Sequence, residues 1–227
     1  DVANDQRLVI YEQRKEILDA EQISKTINSL REDVAETMVF NFVPQGSVDE
    51  QWDIEGLDEE LKKEFNLDIS VEKFLKENEE AGEGDIYQEV NKALLAVHEK
   101  KVTKYGESVM HSLEKQVMLE VLDRHWKEHL ARMDHLRQGI GLRGYAQKNP
   151  KQEYKRESFE LFQDLLESIK FEVVQFLAVV ELRDAQEVEQ MQEQMEAASQ
   201  VEVELQHEQR SALDSTEAGS PSSEDES

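Results

Sequence analysis

The sequence contains no cysteine and only three prolines and nine glycines in 227 residues. Without cysteine there are no disulfides, no thiolate zinc sites and no cysteine nucleophile, which fits a reducing compartment. So little proline and glycine leaves long stretches free of breakers and favours extended helices over a loop-rich fold. Aromatics make up 7% of the chain and charged residues 34%, a balance that leans away from a compact globule. Bases are scarce too, at 26 against 52 acids, for a net charge of −26. Such a chain repels phosphate backbones, so nucleic acid is not an expected partner. No apolar run approaches the ~18 residues of a membrane-spanning helix, and no signal-peptide pattern is visible. The G-x-x-x-x-G-K-[ST] and G-x-S-x-G patterns are both missing, so no catalytic residue is expected in this chain.

What is present is helical periodicity, and the expected class is all-α and elongated. The organising stretch is Gly106 to Leu182. Its first arm places Val109, Leu113, Val117, Leu122, Trp126, Leu130, Met133, Leu136 and Ile140 on one stripe of a 3.6-residue helix. The return arm does the same with Phe159, Phe162, Leu166, Ile169, Val173, Phe176 and Val180. Between them, Gly139, Gly141 and Gly144 free the backbone for positive φ, and Pro150 bars helix through the loop. Two facing stripes joined by a tight reversal predict an antiparallel two-helix hairpin.

Upstream, residues 1–40 contain no glycine or proline and read as one long helix. Its stripe is Leu8, Tyr11, Ile17 or Leu18, Ile23, Ile27, Leu30, Val34 and Met38. Such a rod cannot bury its stripe alone and needs a partner. The chain opens within a helical pattern and without an initiator Met, and is expected to be part of something larger. Residues 41–105 break into shorter pieces and read as a small inserted helical lobe. There Ser47 with Glu50 forms a candidate capping box and Ser70 a candidate cap. From 184 to 227 the chain holds thirteen acids and a single base, Arg210, and reads as a disordered acidic tail.

Three motifs bear on chemistry. GIGLRG matches G-x-G-x-x-G at Gly139, Gly141 and Gly144, but a helical pattern precedes it where a dinucleotide site needs a strand. HWKEH (His125, Glu128, His129) matches H-x-x-E-H, with two imidazoles at i and i+4 but no third ligand, so no metal is expected. The turn is more telling. Arg137, Arg143, Lys148, Lys151, Lys155 and Arg156 face one acid, Glu153, reversing the sign of the chain around an aromatic, Tyr145. The ring either folds back on its own helices or stands out as a basic, aromatic probe for a protein partner.

The run VMLEVLDRHWKEHLARMDHLRQGIGLRGYAQKNPKQEYKRESFELFQDLLESIKFEV closely resembles the C-terminal region of the SecA family of preprotein translocase motors. DVANDQRLVIYEQRKEIL, INSLREDV and WDIEGL resemble the same family in the same order, so the likeness covers residues 1–182. It implies a long scaffold helix over 1–40, a helical wing domain over 41–105, a two-helix finger over 106–183 and an acidic linker over 184–227. It also implies a fingertip at Leu142, Arg143, Gly144 and Tyr145, flanked by Lys148 and Lys151, which contacts preprotein at the mouth of the SecY/SecE/SecG channel and regulates the motor's ATPase. ATP and magnesium belong, by the same resemblance, to domains preceding Asp1, and this chain is expected to need no cofactor. Further implied partners are those motor domains and anionic lipid, and the implied location is the bacterial cytoplasm and the cytoplasmic face of the inner membrane. Position 125 is not fixed as His in the family, which weakens the zinc reading. Many members end in a Cys- and His-rich segment that binds SecB; with no cysteine here, SecB binding is not expected. The alternative is a passive helical scaffold whose tip never touches substrate.

Overall fold

The computed structural model describes residues 2–142 and 149–182. The chain divides into two compact units, 1–181 and 182–227. Of the second unit only Leu182 is described, and every described helix belongs to the first. Arg143, Gly144, Tyr145, Lys148 and the acidic segment lie outside the described residues.

All regular structure among the described residues is helical. In chain order the helices are α1 (Val2–Asp19), α2 (Ser24–Phe42), α3 (Ile54–Phe65), α4 (Val71–Glu77), α5 (Glu83–Tyr105), α6 (Glu107–Gly139) and α7 (Pro150–Val179), with a 3-10 turn at Asp49–Gln51. The 33 residues of α6 and 30 of α7 correspond to rods of ~50 and ~45 Å. They run antiparallel: Arg124 and His125 of α6 pair with Glu172, and further toward the turn His129 meets Phe162.

The short helices are punctuated by side chains. Asp53 caps α3 by accepting the Gly56 N–H at 2.9 Å. A Cβ at Gly56 would lie 2.4 Å from the Asp53 carboxylate, so a larger residue there would make the cap side chain shift. Asp58 of α3 accepts the Val71 N–H at 2.7 Å, while Ser70 accepts the Lys73 N–H at 3.2 Å as the sequence led one to expect. Gly106, at φ +93°, turns α5 directly into α6. Ser47 does not form a capping box. Its hydroxyl donates to Pro44 O and accepts from Trp52 Nε1 at 3.0 Å, which ties the indole to the preceding turn.

One continuous core joins α2 to α3, α4 and α5. Val34, Ala35, Met38 and Val39 pack with Leu57, Leu61, Phe65, Ile86, Val90 and Leu94, and Val174 enters from α7. Phe65 meets Phe171 of α7 edge-on at 5.5 Å. The base of the hairpin is therefore built into the same apolar interior as residues 54–94.

Four expectations need correction. The N-terminal helix is not continuous: it stops at Asp19 and restarts at Ser24. Within α1 the buried positions are Gln6, Ile10 and Ile17, while Leu8 and Tyr11 are exposed. On α7 the buried line is Ser158, Leu165, Ile169, Val173, Val174 and Leu177, while Phe159 and Phe176 are 59% and 46% exposed. The two misplaced stripes have one cause: these helices carry apolar residues on more than one face, and the period alone does not say which face turns inward. Gly139 and Gly141 are helical, the positive-φ glycines among the described residues being Gly46 and Gly106.

Candidate partner-binding end of the hairpin

The far end of the hairpin is shaped by how each arm stops. The first arm tightens after Gly139 into a 3-10 turn over residues 140–142, leaving Ile140 half-buried and Leu142 69% exposed. The second opens on Asn149, whose side chain accepts the Lys151 N–H at 3.0 Å. Pro150 follows at the first helical position, where its missing N–H costs nothing. Pro150 thus starts a helix as well as ending the loop.

Of the anticipated site residues, Leu142 and Lys151 are described, and both are exposed at this end. The other bases divide by partner. Arg156 is held by carboxylates of its own helix, Glu153 at 2.8 Å and Glu160 at 2.9 Å, and Arg137 by Asp134 at 3.3 Å. Lys151 and Lys155 are exposed on the first turns of α7, where they face solvent on an otherwise acidic protein.

Behind this end lies a layer that sequence reasoning missed. Trp126 stacks on His129 with ring centroids 5.4 Å apart, and His129 lies 5.8 Å from the Phe162 ring. Gln6 of α1 closes the layer: its Nε2 donates to Ser158 O at 3.0 Å, and its Oε1 lies 2.9 Å from His129 Nε2. Burial, aided by Arg132, lowers the His129 pKa, so the imidazole is neutral and its Nε2–H donates to Gln6. Both ends of the Gln6 amide are satisfied, as a buried amide requires. The signal was a polar residue in register with Ile10 and Ile17.

The H-x-x-E-H motif comes apart in three dimensions. His129 turns to Gln6, whereas His125 pairs with Glu172. Arg124 shares that carboxylate, and although burial pushes Glu172 up, the two hydrogen bonds hold it below its ordinary range. The two imidazoles serve different helices and do not converge on one ion.

At the base, Lys101 of α5 reaches the C-terminus of α7. Its ammonium donates to Leu177 O and Ala178 O, each at 2.8 Å, and to Val180 O. Burial pulls its pKa down to about 8, against the attraction of Glu181. Three carbonyls at the negative end of a helix dipole oppose that pull and favour the charged form.

A family model described as the SecA wing and scaffold domain matches residues 1–181. The chain belongs to the SecA family. It is 50% identical over 202 residues to the protein translocase subunit SecA of Nitrosococcus oceani, covering 89% of this chain and 22% of that protein. Against the protein translocase subunit SecA of Nitrosomonas europaea it is 49% identical over 194 residues, covering 85% of this chain and 21% of that one. The chain thus spans about a fifth of the length of the SecA relatives it matches. In SecA terms residues 1–181, all of the described helices, together are wing and scaffold. Among the described residues no helix is long and apolar enough to cross a membrane.

Proposed function

We infer that this chain is the wing and scaffold part of an ATP-driven protein translocase, and that the α6–α7 hairpin is its substrate-engaging finger. Residues 1–40 form the scaffold segment that couples to the motor, 41–105 the wing, 106–183 the finger and 184–227 a linker. Leu142, Arg143, Gly144 and Tyr145 form the fingertip, flanked by Lys148 and Lys151, and contact the preprotein at the SecY/SecE/SecG channel. The finger also regulates the motor's ATPase. ATP and magnesium are held by other domains of the translocase, not by this chain. The protein works in the bacterial cytoplasm and, peripherally, at the cytoplasmic face of the inner membrane, with anionic lipid as a further partner.

The observation that carries this reading is mechanical. Two long antiparallel helices are tied together along their length and anchored in the core at one end. At the other end they leave an apolar side chain and lysines exposed. A tyrosine in such a loop offers a broad contact that tolerates varied sequence. The test is the Tyr145→Ala variant in the complete translocase. Preprotein transport falls while basal ATP hydrolysis persists, and a photocrosslinker at position 145 labels the moving chain. Undiminished transport by that variant would refute the assignment.

One observation favours the passive alternative: α1 is pinned to both arms through Gln6, as suits a fixed strut. A crosslinker at position 145 that labels only channel protein would select that reading.

A further inference from the structure

The break between α1 and α2 has no local cause. Ala20, Glu21, Gln22 and Ile23 lie in a stretch without glycine or proline, and Ala, Glu and Gln are good helix formers. The cause sits on α6, where two consecutive side chains occupy the break. Lys115 Nζ donates to Leu18 O at 2.7 Å and to Ala20 O at 2.9 Å. In a continuous helix those carbonyls would accept the N–H groups of Gln22 and Ser24. Beside it, Glu114 accepts the Ser24 hydroxyl at 2.9 Å. A cation thus caps the end of one helix, matched to its dipole, and Glu114 holds the Ser24 side chain at the first turn of the next.

The clamp is imperfect. Glu114 is wholly buried, and its Oε1 has no hydrogen-bond partner. The nearby imidazole of His98 stands 3.7 Å away. A cavity of about 390 Å³ lies along the break, lined among others by Ile17, Ile23, Met118, Leu166 and Ile169. The two helices are also unequally anchored. Buried side chains on α1 are Gln6, Ile10 and Ile17, whereas α2 buries Ile27, Arg31, Val34, Ala35, Met38 and Val39. An exposed pair, Arg14 with Asp123 at 3.1 Å, adds little to the hold of α1 on α6. The outer face of α1 carries Leu8 and Tyr11, 61% and 55% exposed.

We propose that α1 is a detachable strap across the hairpin, with a second state in which residues 20–23 become helical and α1 runs straight into α2. In the docked state, Lys115 and Glu114 hold the break open and Gln6 fastens the far end between His129 and Ser158. In the straight state, Lys115 gives up its two carbonyls to the N–H groups of Gln22 and Ser24. The strap then lifts from both arms while α2 stays in the core. The weaker anchorage decides which helix moves.

Clamp loss has opposite signatures under the two possible roles of Lys115. If Lys115 holds a break that the chain would otherwise close, Lys115→Met in the full chain raises amide-exchange protection at Gln22 and Ser24 by ~10-fold. If Lys115 merely stabilises α1, protection there stays unchanged and falls at Leu18. Cysteine-free sequence permits paired spin labels at positions 7 and 127, both exposed. In Lys115→Met they report a second, longer distance, the end of an 18-residue helix sweeping through a span on the order of its ~27 Å length. Gln6→Ala frees the far end without touching the break and gives the same two signatures more weakly. If neither variant raises protection at Gln22 and Ser24, or the labels keep a single distance, the strap does not exist.

Discussion

Replacing Lys101 by Met tests how the hairpin is held at its base. The substitution keeps most of the side chain's bulk and removes three hydrogen bonds from a buried ammonium to Leu177 O, Ala178 O and Val180 O. Bonds from a charged donor contribute about 1.5–3 kcal/mol each, or roughly 5–9 kcal/mol together. Against this stands the cost of burying the charge. The fall of the Lys101 pKa from 10.5 to about 8 corresponds to roughly 3 kcal/mol. The net expected loss is about 2–4 kcal/mol, once some carbonyls regain water. For a chain of this size that is a Tm lower by roughly 4–16 °C. Equilibrium denaturation followed by circular dichroism measures it, with the exposed neighbour Lys100→Met as a control expected within ~0.5 kcal/mol of wild type. Amide exchange locates the damage at the last turn of α7. A Lys101→Met protein as stable as the control would show that the ammonium's burial cost cancels its bonds and that α7 ends without its help.

Burial leads to two more predictions. His98 is pushed down to about 4, chiefly by burial and then by Arg31, His111 and Lys101, so it stays neutral in the fold while the unfolded chain protonates near 6.5. The unfolded state binds the extra proton between those values, so stability is full above pH 6.5 and is lost as pH falls toward 4. Denaturation across that range, compared with His98→Gln, isolates this loss from Glu114, whose burial raises its pKa and acts in the opposite sense; a flat difference would contradict a neutral His98. On α7, Leu165→Ala should cost about 2–5 kcal/mol and Phe159→Ala under ~1 kcal/mol, since they are 4% and 59% exposed. The same denaturation assay ranks them, and the reverse order would restore the stripe that runs through Phe159.

The hairpin was legible because its pattern is long and its ends are marked. Over α6, Leu113, Val117, Leu122, Trp126 and Met133 are buried as their spacing required, and Asn149 with Pro150 starts the return arm. The face of α7 was not legible, because a helix touching α6 on one side and the α2–α5 core on another carries apolar residues around much of its circumference. Phe159 and Phe176 satisfied the period and still point outward. Nor was the α1–α2 break, which is imposed by Lys115 and Glu114, about ninety residues further along. Of the anticipated tip residues, Leu142 and Lys151 are exposed at the far end of the hairpin, while Gln6 escaped notice because a polar residue was not counted in an apolar stripe.

These buried polar groups explain how so acidic a chain holds two long arms side by side. Apolar stripes alone permit sliding and rotation, as the two competing faces of α7 show. Each fixed point instead comes from a polar side chain that no other register would satisfy: Gln6 between His129 and Ser158, Glu172 with Arg124 and His125, and Lys101 at the carbonyls of α7. A slip of one helical turn would leave the buried Gln6 and His129 unpaired, at a cost of about 1–3 kcal/mol for each group. The arms are therefore tied to each other at two heights, near the tip through Gln6 and at mid-length through Glu172, while Lys101 holds the end of α7 to α5 at the base. In the proposed finger, a displacement of the core around Val174 and Phe65 would consequently reach Leu142 as movement of a rigid pair, and not be lost as sliding of one helix over the other.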